Sequence, residues 1–110
     1  MSISNYRTNK VDKNQARKLV LQIMRHHSGN VNFSGHATSE MTNDGLTSGD
    51  IWNVLESSDA RIVDEGEFEK GSYRYRLETN FIMVVIAFHP KGDGLNIVTV
   101  WDKRKKESKT

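Results

Sequence analysis

The sequence predicts an α+β domain in which N-terminal helices pack on a curled antiparallel sheet. Two observations predict it: apolar residues recur at helical spacing in the first half of the chain and at alternate positions in the second half. Helices followed by a run of strands are typical of the α+β class. At 110 residues, the chain is also close to the commonest size of a single domain.

The first helix is predicted over residues 12 to 27. Asp12 and Gln15 fit a capping box, in which each side chain satisfies a backbone N–H at the start of a helix. Ser28-Gly29-Asn30 then ends the helix, because Gly and Asn tolerate the left-handed conformation at a helix end. Apolar residues spaced three and four positions apart predict the buried stripe of this helix, which consists of Ala16, Leu19, Val20, Ile23 and Met24.

A short strand and two short helices are predicted next. Residues 31 to 34 alternate briefly, and residues 36 to 44 have helical spacing that ends at Gly45. Thr47 with Asp50 repeats the capping pattern and predicts a helix over about 48 to 57.

Four strands are predicted over residues 61 to 64, 73 to 78, 81 to 89 and 95 to 103. The third is apolar throughout, as expected of a central strand covered on both faces. Turn-forming residues at 79 to 80 and 90 to 94 predict an antiparallel meander over 73 to 103. We expect a flexible N-terminus at 1 to 11, one domain over 12 to 103 and a basic tail at 104 to 110.

Composition excludes several classes of protein. The absence of cysteine excludes a disulfide scaffold, a thiolate zinc site and a cysteine nucleophile. The longest apolar run has eight residues, whereas a membrane helix needs about 20, so no membrane partner is expected. The first ten residues contain no apolar stretch, so we expect no secretory signal and a cytoplasmic location.

The formal net charge of +2 is unevenly distributed along the chain. It divides into +5 over residues 1 to 30, −7 over 31 to 71 and +4 over 72 to 110. Two basic ends around an acidic middle suggest a polyanionic partner, with ordinary solvated surfaces as the alternative. If both ends serve one partner, they should converge in space.

Alternation on the strand 73 to 78 predicts that Arg74 and Arg76 share one face and Tyr75 takes the other. The two cations would lie about 7 Å apart, close to the separation of successive phosphates. Arginine also matches phosphate oxygens with its planar fork of donors. The alternative is an exposed face on which Glu78 and other acids pair with the arginines.

Three further residues are candidates for chemistry. Thr99 and Trp101 are predicted to share a face with Leu95 and Ile97. On that face, a hydroxyl and an aromatic ring could contact a ligand. The alternative is that Thr and Trp occur here simply because both residue types favour strands. His36 stands at the junction of the first strand and second helix, and histidine exchanges protons near neutrality. Its alternative role is local hydrogen bonding at the helix start.

No cofactor or metal is expected from the motifs. The sequence contains no His-x-His or His-Glu-x-x-His spacing, no phosphate-binding glycine loop and no Gly-x-Ser-x-Gly. Cleavage of RNA needs neither metal nor cofactor, because the neighbouring 2′-hydroxyl can attack the phosphate when the protein supplies a proton acceptor, a proton donor and cations. His, Tyr, Arg and Lys side chains suffice for that chemistry.

Two stretches also carry a resemblance, Phe33-Ser34-Gly35-His36-Ala37-Thr38-Ser39-Glu40-Met41 and Gly45-Leu46-Thr47-Ser48-Gly49-Asp50-Ile51. They resemble a family of small bacterial domains of unassigned function with a His-Ala-x-x-Arg-Met signature, which is similar to the RelE and MqsR toxin ribonucleases. The segments Ala16 to Val20, Tyr73 to Leu77 and Ile97 to Trp101 also resemble that group.

The resemblance implies a toxin of a toxin-antitoxin pair that cleaves mRNA, is silenced by a cognate antitoxin protein and acts in some cases at the ribosome. One position departs from the signature, since Glu40 replaces the usual Arg. Glu40 lies four residues after His36, so the two can pair on a helix, which suits a general base and equally a structural salt bridge.

The leading hypothesis is therefore a metal-independent endoribonuclease of RelE/MqsR-like fold. It requires the two basic ends to converge in space, and a structure in which they diverge would count against it. His36 is the candidate acid or base, and Arg74 and Arg76 form a phosphate clamp. Tyr75, Thr99 and Lys103 are candidates to position RNA or donate a proton. The candidates for substrate binding are Lys103, Trp101, Arg17 and Lys18. The alternatives are a non-catalytic nucleic-acid- or protein-binding regulatory module, and an adaptor that works through its acidic middle.

Overall fold

Three α-helices, one short 3-10 helix at Ser28–Asn30 and five strands make up the part of the fold that the structure describes. The computed structural model describes residues 10–69, 72–89 and 94–104, with the backbone alone at 64–66 and 69. The elements are α1 (Lys13–His26), β1 (Val31–Phe33), α2 (Gly35–Asp44), α3 (Ser48–Glu56), β2 (Arg61–Glu69), β3 (Ser72–Glu78), β4 (Ile82–Phe88) and β5 (Leu95–Asp102).

The predicted α+β class is confirmed. Most element bounds lie within one or two residues of the prediction, but β2 continues five residues beyond the predicted end at residue 64. The flexible N-terminus, the turn at 90 to 94 and the basic tail fall largely outside the described residues. Among those described, no helix is both long and apolar enough to cross a membrane.

Side chains cap each helix at its start, because the first N–H groups of a helix lack intrahelical partners. Asp12 Oδ1 accepts the Gln15 N–H at 2.8 Å. The Thr47 and Asp50 capping box is confirmed, with both reciprocal bonds present. Helix α2 ends at Gly45, whose φ of 70° lies in the left-handed region that glycine adopts without steric cost.

The strands form one sheet in the order β1-β5-β4-β3-β2. The predicted meander is confirmed, since β3, β4 and β5 pair antiparallel in sequence order. The edge strand β1 instead runs parallel to β5, with Val31 opposite Leu95 and Phe33 opposite Ile97. The sheet is therefore mixed, and only its β2 to β5 part fits the antiparallel prediction.

The core lies between the helices and one face of the sheet, which we call the helix face. The α1 stripe predicted from spacing is buried in full. It packs with alternate residues of the central strands: Tyr75 and Leu77 of β3, Val84 and Ile86 of β4, and Ile97 and Val100 of β5. The residues between these positions form the opposite face, which we call the arginine face because Arg74 and Arg76 lie on it.

Side chains from the start and body of α2 cover the edge of β5 beyond the end of β1. Ser34 Oγ donates to the Val98 carbonyl at 2.8 Å. Glu40 Oε1 accepts the Val100 N–H at 3.2 Å, and Asp44 Oδ2 accepts the Asp102 N–H at 2.9 Å. The three-residue strand β1 cannot pair all of the eight-residue β5, so these side chains satisfy backbone groups that would otherwise face solvent.

Candidate functional site

Two adjoining cavities on the arginine face form a groove. The first, of about 280 Å³, is lined by Glu67, Arg74, Arg76, Val85, Thr99 and Trp101 among others. The second, of about 440 Å³, includes His36, Asn32 and Asn96 and shares Arg74 and Thr99 with the first. Six of the residues predicted from the sequence therefore border the two cavities: His36, Arg74, Tyr75, Arg76, Thr99 and Trp101.

The positions of Arg74 and Arg76 follow from alternation along β3. Tyr75 and Leu77 are buried on the helix face, whereas Arg74 is half-buried and Arg76 exposed on the other. The predicted division of this strand is thus confirmed. Residues two apart on a strand lie about 7 Å apart, so the two guanidinium stems are spaced along the groove like successive phosphates.

A β-bulge brings Thr99 and Trp101 to the arginine face. Val85 pairs with Thr99, yet its neighbour Ile86 pairs with Ile97, so Val98 is an extra residue in β5. Such a residue reverses the alternation of the strand that follows. The prediction that Thr99 and Trp101 share a face with Leu95 and Ile97 is therefore wrong. After the bulge, the buried residues of β5 are Val100 and Asp102.

His36 lies in the first turn of α2, where Ser34 caps the helix by accepting the Ala37 N–H at 3.0 Å. Its side chain is 66% exposed, and its Nε2 lies 3.4 Å from Glu40 Oε1. The same Glu40 oxygen accepts the Val100 N–H of β5. The imidazole is thus connected to the sheet through one carboxylate oxygen, and Thr99, the neighbour of Val100, lines the groove.

The bond from Val100 to Glu40 also accounts for the departure at this position. Arginine has no hydrogen-bond acceptor, so it could not accept the Val100 N–H. In this chain residue 40 fastens α2 to the sheet, and the cations of the groove come from β3.

The Tyr75 side chain lies on the face opposite the two arginines, although the residue also borders the first cavity. The residue is 1% exposed, on the helix face, with its ring centroid 5.6 Å from that of Phe88. Its Oη accepts the Val11 N–H at 3.0 Å. The hydroxyl proposed as a proton donor therefore holds the segment before α1, on the side of the sheet away from Arg74 and Arg76.

The cations of α1 also lie outside the groove. The Arg17 guanidinium donates to the Leu55 carbonyl at 2.7 Å and to the Ser57 carbonyl, at the end of α3. Burial lowers the pKa of Arg17 below the usual arginine value, but the group remains a cation. Lys18 is exposed on α1. Because α1 packs on the helix face, the predicted convergence of the two basic ends is wrong for Arg17 and Lys18.

Lys103 lies past the end of β5 and contacts Glu78. Its Nζ is 3.3 Å from Glu78 Oε2 and donates to the Thr79 carbonyl at 3.1 Å. Arg61 Nη2 reaches the other Glu78 oxygen at 3.5 Å. The ammonium predicted to hold RNA is engaged with a carboxylate at the end of the sheet.

Glu67 was not predicted as a site residue. It is exposed on β2 and lines the first cavity, with its Cα paired across the strands to that of Arg74. The strand was predicted over residues 61 to 64, which is too short to include residue 67. A signal was present, since acids at 64 and 67 oppose Arg76 and Arg74 once the β2–β3 hairpin is in register.

Within the described ranges, no three His, Cys, Asp or Glu residues are grouped so that they could hold a metal ion. Comparison of the chain with protein-family models, with curated proteins and with solved structures gives no match.

Proposed function

We propose that the chain is a metal-independent endoribonuclease that cleaves mRNA in the groove of the arginine face. The observation that carries this proposal is the convergence of His36, Arg74, Arg76 and Thr99 on two adjoining cavities. These residues come from α2, β3 and β5. Their side-chain types supply the cations and one proton-transfer group that the reaction requires.

Arg74 is the residue placed to hold the scissile phosphate, because it lines both cavities. Its half-buried position reduces screening by water, which strengthens its attraction for a phosphate oxygen. Arg76, one pleat further along β3, is spaced to contact the next phosphate. Thr99 lines both cavities as well and offers a hydroxyl to a phosphate oxygen.

Glu67 and His36 lie in different cavities, with Arg74 common to both. In-line attack requires the 2′-oxygen to approach phosphorus on the side opposite the departing 5′-oxygen, so the base and the acid must act from opposite sides of the phosphate. The Glu67 carboxylate takes the proton of the 2′-hydroxyl as the new O–P bond forms. Protonated His36 gives its proton to the 5′-oxygen as the old O–P bond breaks. The products are a 2′,3′-cyclic phosphate and a 5′-hydroxyl end.

We further propose that the chain is the toxin of a toxin-antitoxin pair and acts in the cytoplasm. This part rests on the resemblance of residues 33 to 41 and 45 to 51 to the toxin-related domains described above. Its partners would be mRNA, alone or on the ribosome, and a cognate antitoxin protein.

The test is incubation of the purified chain with RNA, followed by mapping of the RNA ends, and induced expression in bacteria. We expect 2′,3′-cyclic phosphate ends and growth arrest. His36→Ala, Glu67→Gln and Arg74→Ala should each reduce cleavage by at least about 100-fold. Lys18→Ala is the matched control outside the groove. A purified chain that leaves RNA intact both free and on ribosomes, or a His36→Ala chain that still arrests growth, would refute the proposal.

A second candidate function is a non-catalytic module that binds nucleic acid or protein through the same groove. Two observations favour it: the Tyr75 hydroxyl is buried on the opposite face, and Arg17 and Lys18 of α1 do not reinforce the groove. This function predicts binding with a steep salt dependence and no cleavage products.

A further inference from the structure

Trp101 extends the groove beyond the phosphate-binding residues. The β5 bulge sets Trp101 on the arginine face two positions after Thr99, about 7 Å further along the strand. Pairing across the sheet aligns Arg76 with Val85 and Thr99 in one row. The next row consists of Glu78, Met83 and Trp101. A nucleotide whose phosphate meets Arg76 would therefore have the indole ring in the neighbouring row.

The charges of the two rows differ. The row of Trp101 contains the Glu78 carboxylate, which pairs with both Lys103 at 3.3 Å and Arg61 at 3.5 Å. The two cations near this end are thus engaged with the Glu78 carboxylate, which partly neutralises their charge. The half-buried indole and the half-buried Val85 offer an apolar surface beside it. This end thus offers a flat apolar surface beside the two guanidinium groups of β3.

We propose that Trp101 is a base-stacking subsite and that the substrate is RNA left unpaired beside the scissile phosphate. This inference rests on the proposed function and names its substrate class. Successive phosphates and bases alternate along a single strand, so a phosphate at Arg76 places a base against the indole. In a duplex each base is stacked on both faces and paired at its edge, so the indole could not reach it.

The test uses binding rather than cleavage. The full chain is titrated with a labelled single-stranded 2′-O-methyl RNA 12-mer, which lacks the attacking hydroxyl, with its duplex, and with an abasic 12-mer that keeps the phosphates. We expect the single strand to bind at least about 5-fold more tightly than the duplex. Trp101→Ala should weaken binding of the single strand by about 5- to 20-fold and leave the abasic strand unchanged.

Two further variants separate stacking from charge and from misfolding. Trp101→Phe should retain most of the affinity, and Arg76→Ala should weaken the base-bearing and abasic strands alike. Trp52 stacks on Phe33 with ring centroids 5.9 Å apart, away from Trp101, so its fluorescence would mask that of Trp101. In Trp52→Phe, Trp101 is the one remaining tryptophan of the sequence. Its fluorescence should then be quenched when the single strand binds. Equal loss for the abasic strand in Trp101→Ala, equal binding of duplex and single strand, or unquenched Trp101 would each refute the subsite. A chain that cleaves no RNA but passes these tests would refute the nuclease alone.

Discussion

The hydroxyl of Tyr75 offers a direct test of the difference between a catalytic and a structural role. Its Oη accepts the Val11 N–H at 3.0 Å, and both residues are more than nine-tenths buried. Tyr75→Phe removes this acceptor and leaves the ring in contact with Phe88. We expect the variant to lose stability and to keep the full activity of the groove, because the hydroxyl lies on the helix face.

The magnitude follows from the loss of one buried hydrogen bond. A buried donor left without its partner costs about 1 to 3 kcal/mol. Val11 precedes α1 by only two residues, so its N–H can turn toward water, and the lower value of about 1 kcal/mol applies. For a domain of this size that loss lowers Tm by about 5 °C.

The assay is thermal unfolding followed by circular dichroism, with RNA cleavage or 12-mer binding measured well below Tm. Tyr73→Phe is the matched control, since it removes a hydroxyl from the same face of β3 at a half-buried position. We expect a smaller change in Tm for this control and activity within about twofold for both variants. A Tyr75→Phe chain with unchanged Tm and cleavage reduced tenfold would show that the hydroxyl contacts RNA, and the structural assignment would be wrong.

Three other outcomes are expected. Arg17→Met should destabilise the chain by about 1 to 2 kcal/mol in urea unfolding, because it removes the donors to the carbonyls at the end of α3. RNA affinity should be unchanged. A loss of affinity without a loss of stability would instead place Arg17 in the RNA interface. Arg76→Ala should reduce the slope of log RNA affinity against log salt concentration by about one, and Lys18→Ala should leave that slope unchanged. Equal slopes for the two variants would contradict an RNA-binding groove limited to the arginine face. Glu40→Gln retains an acceptor for the Val100 N–H and should be nearly as stable as the parent chain. Glu40→Arg has no acceptor and should lose about 1 kcal/mol or more of unfolding free energy. A fully stable Glu40→Arg would show that the bond to Val100 is dispensable.

The order and type of the elements were predictable because each is specified by neighbouring residues. The α1 stripe, the Thr47 and Asp50 cap and the alternation of β3 all depend on spacings of two to four positions. The parallel pairing of β1 with β5 was not predictable in this way, since Val31 and Leu95 are 64 positions apart. Pairing over such a distance has no local signal.

The site was predictable in part for the same reason. Arg74 and Arg76 follow from the period of one strand, and His36 from its place at a strand-to-helix junction. Thr99 and Trp101 reached the groove through a bulge that depends on the pairing of β5 with β4. Glu67 was missed because its charged segment becomes a strand only when β3 lies beside it.

The bonds between α2 and the edge of β5 hold the two halves of the groove together. The hairpins of β2 to β5 join segments close in the chain, whereas α2 and its N-cap lie 58 to 64 positions from their partners in β5. Arg74 and Arg76 belong to the hairpins, and His36 belongs to α2. Local opening of α2 would separate the two halves of the groove while the hairpins persist, and amide hydrogen exchange at Val100 and Asp102 would report that opening.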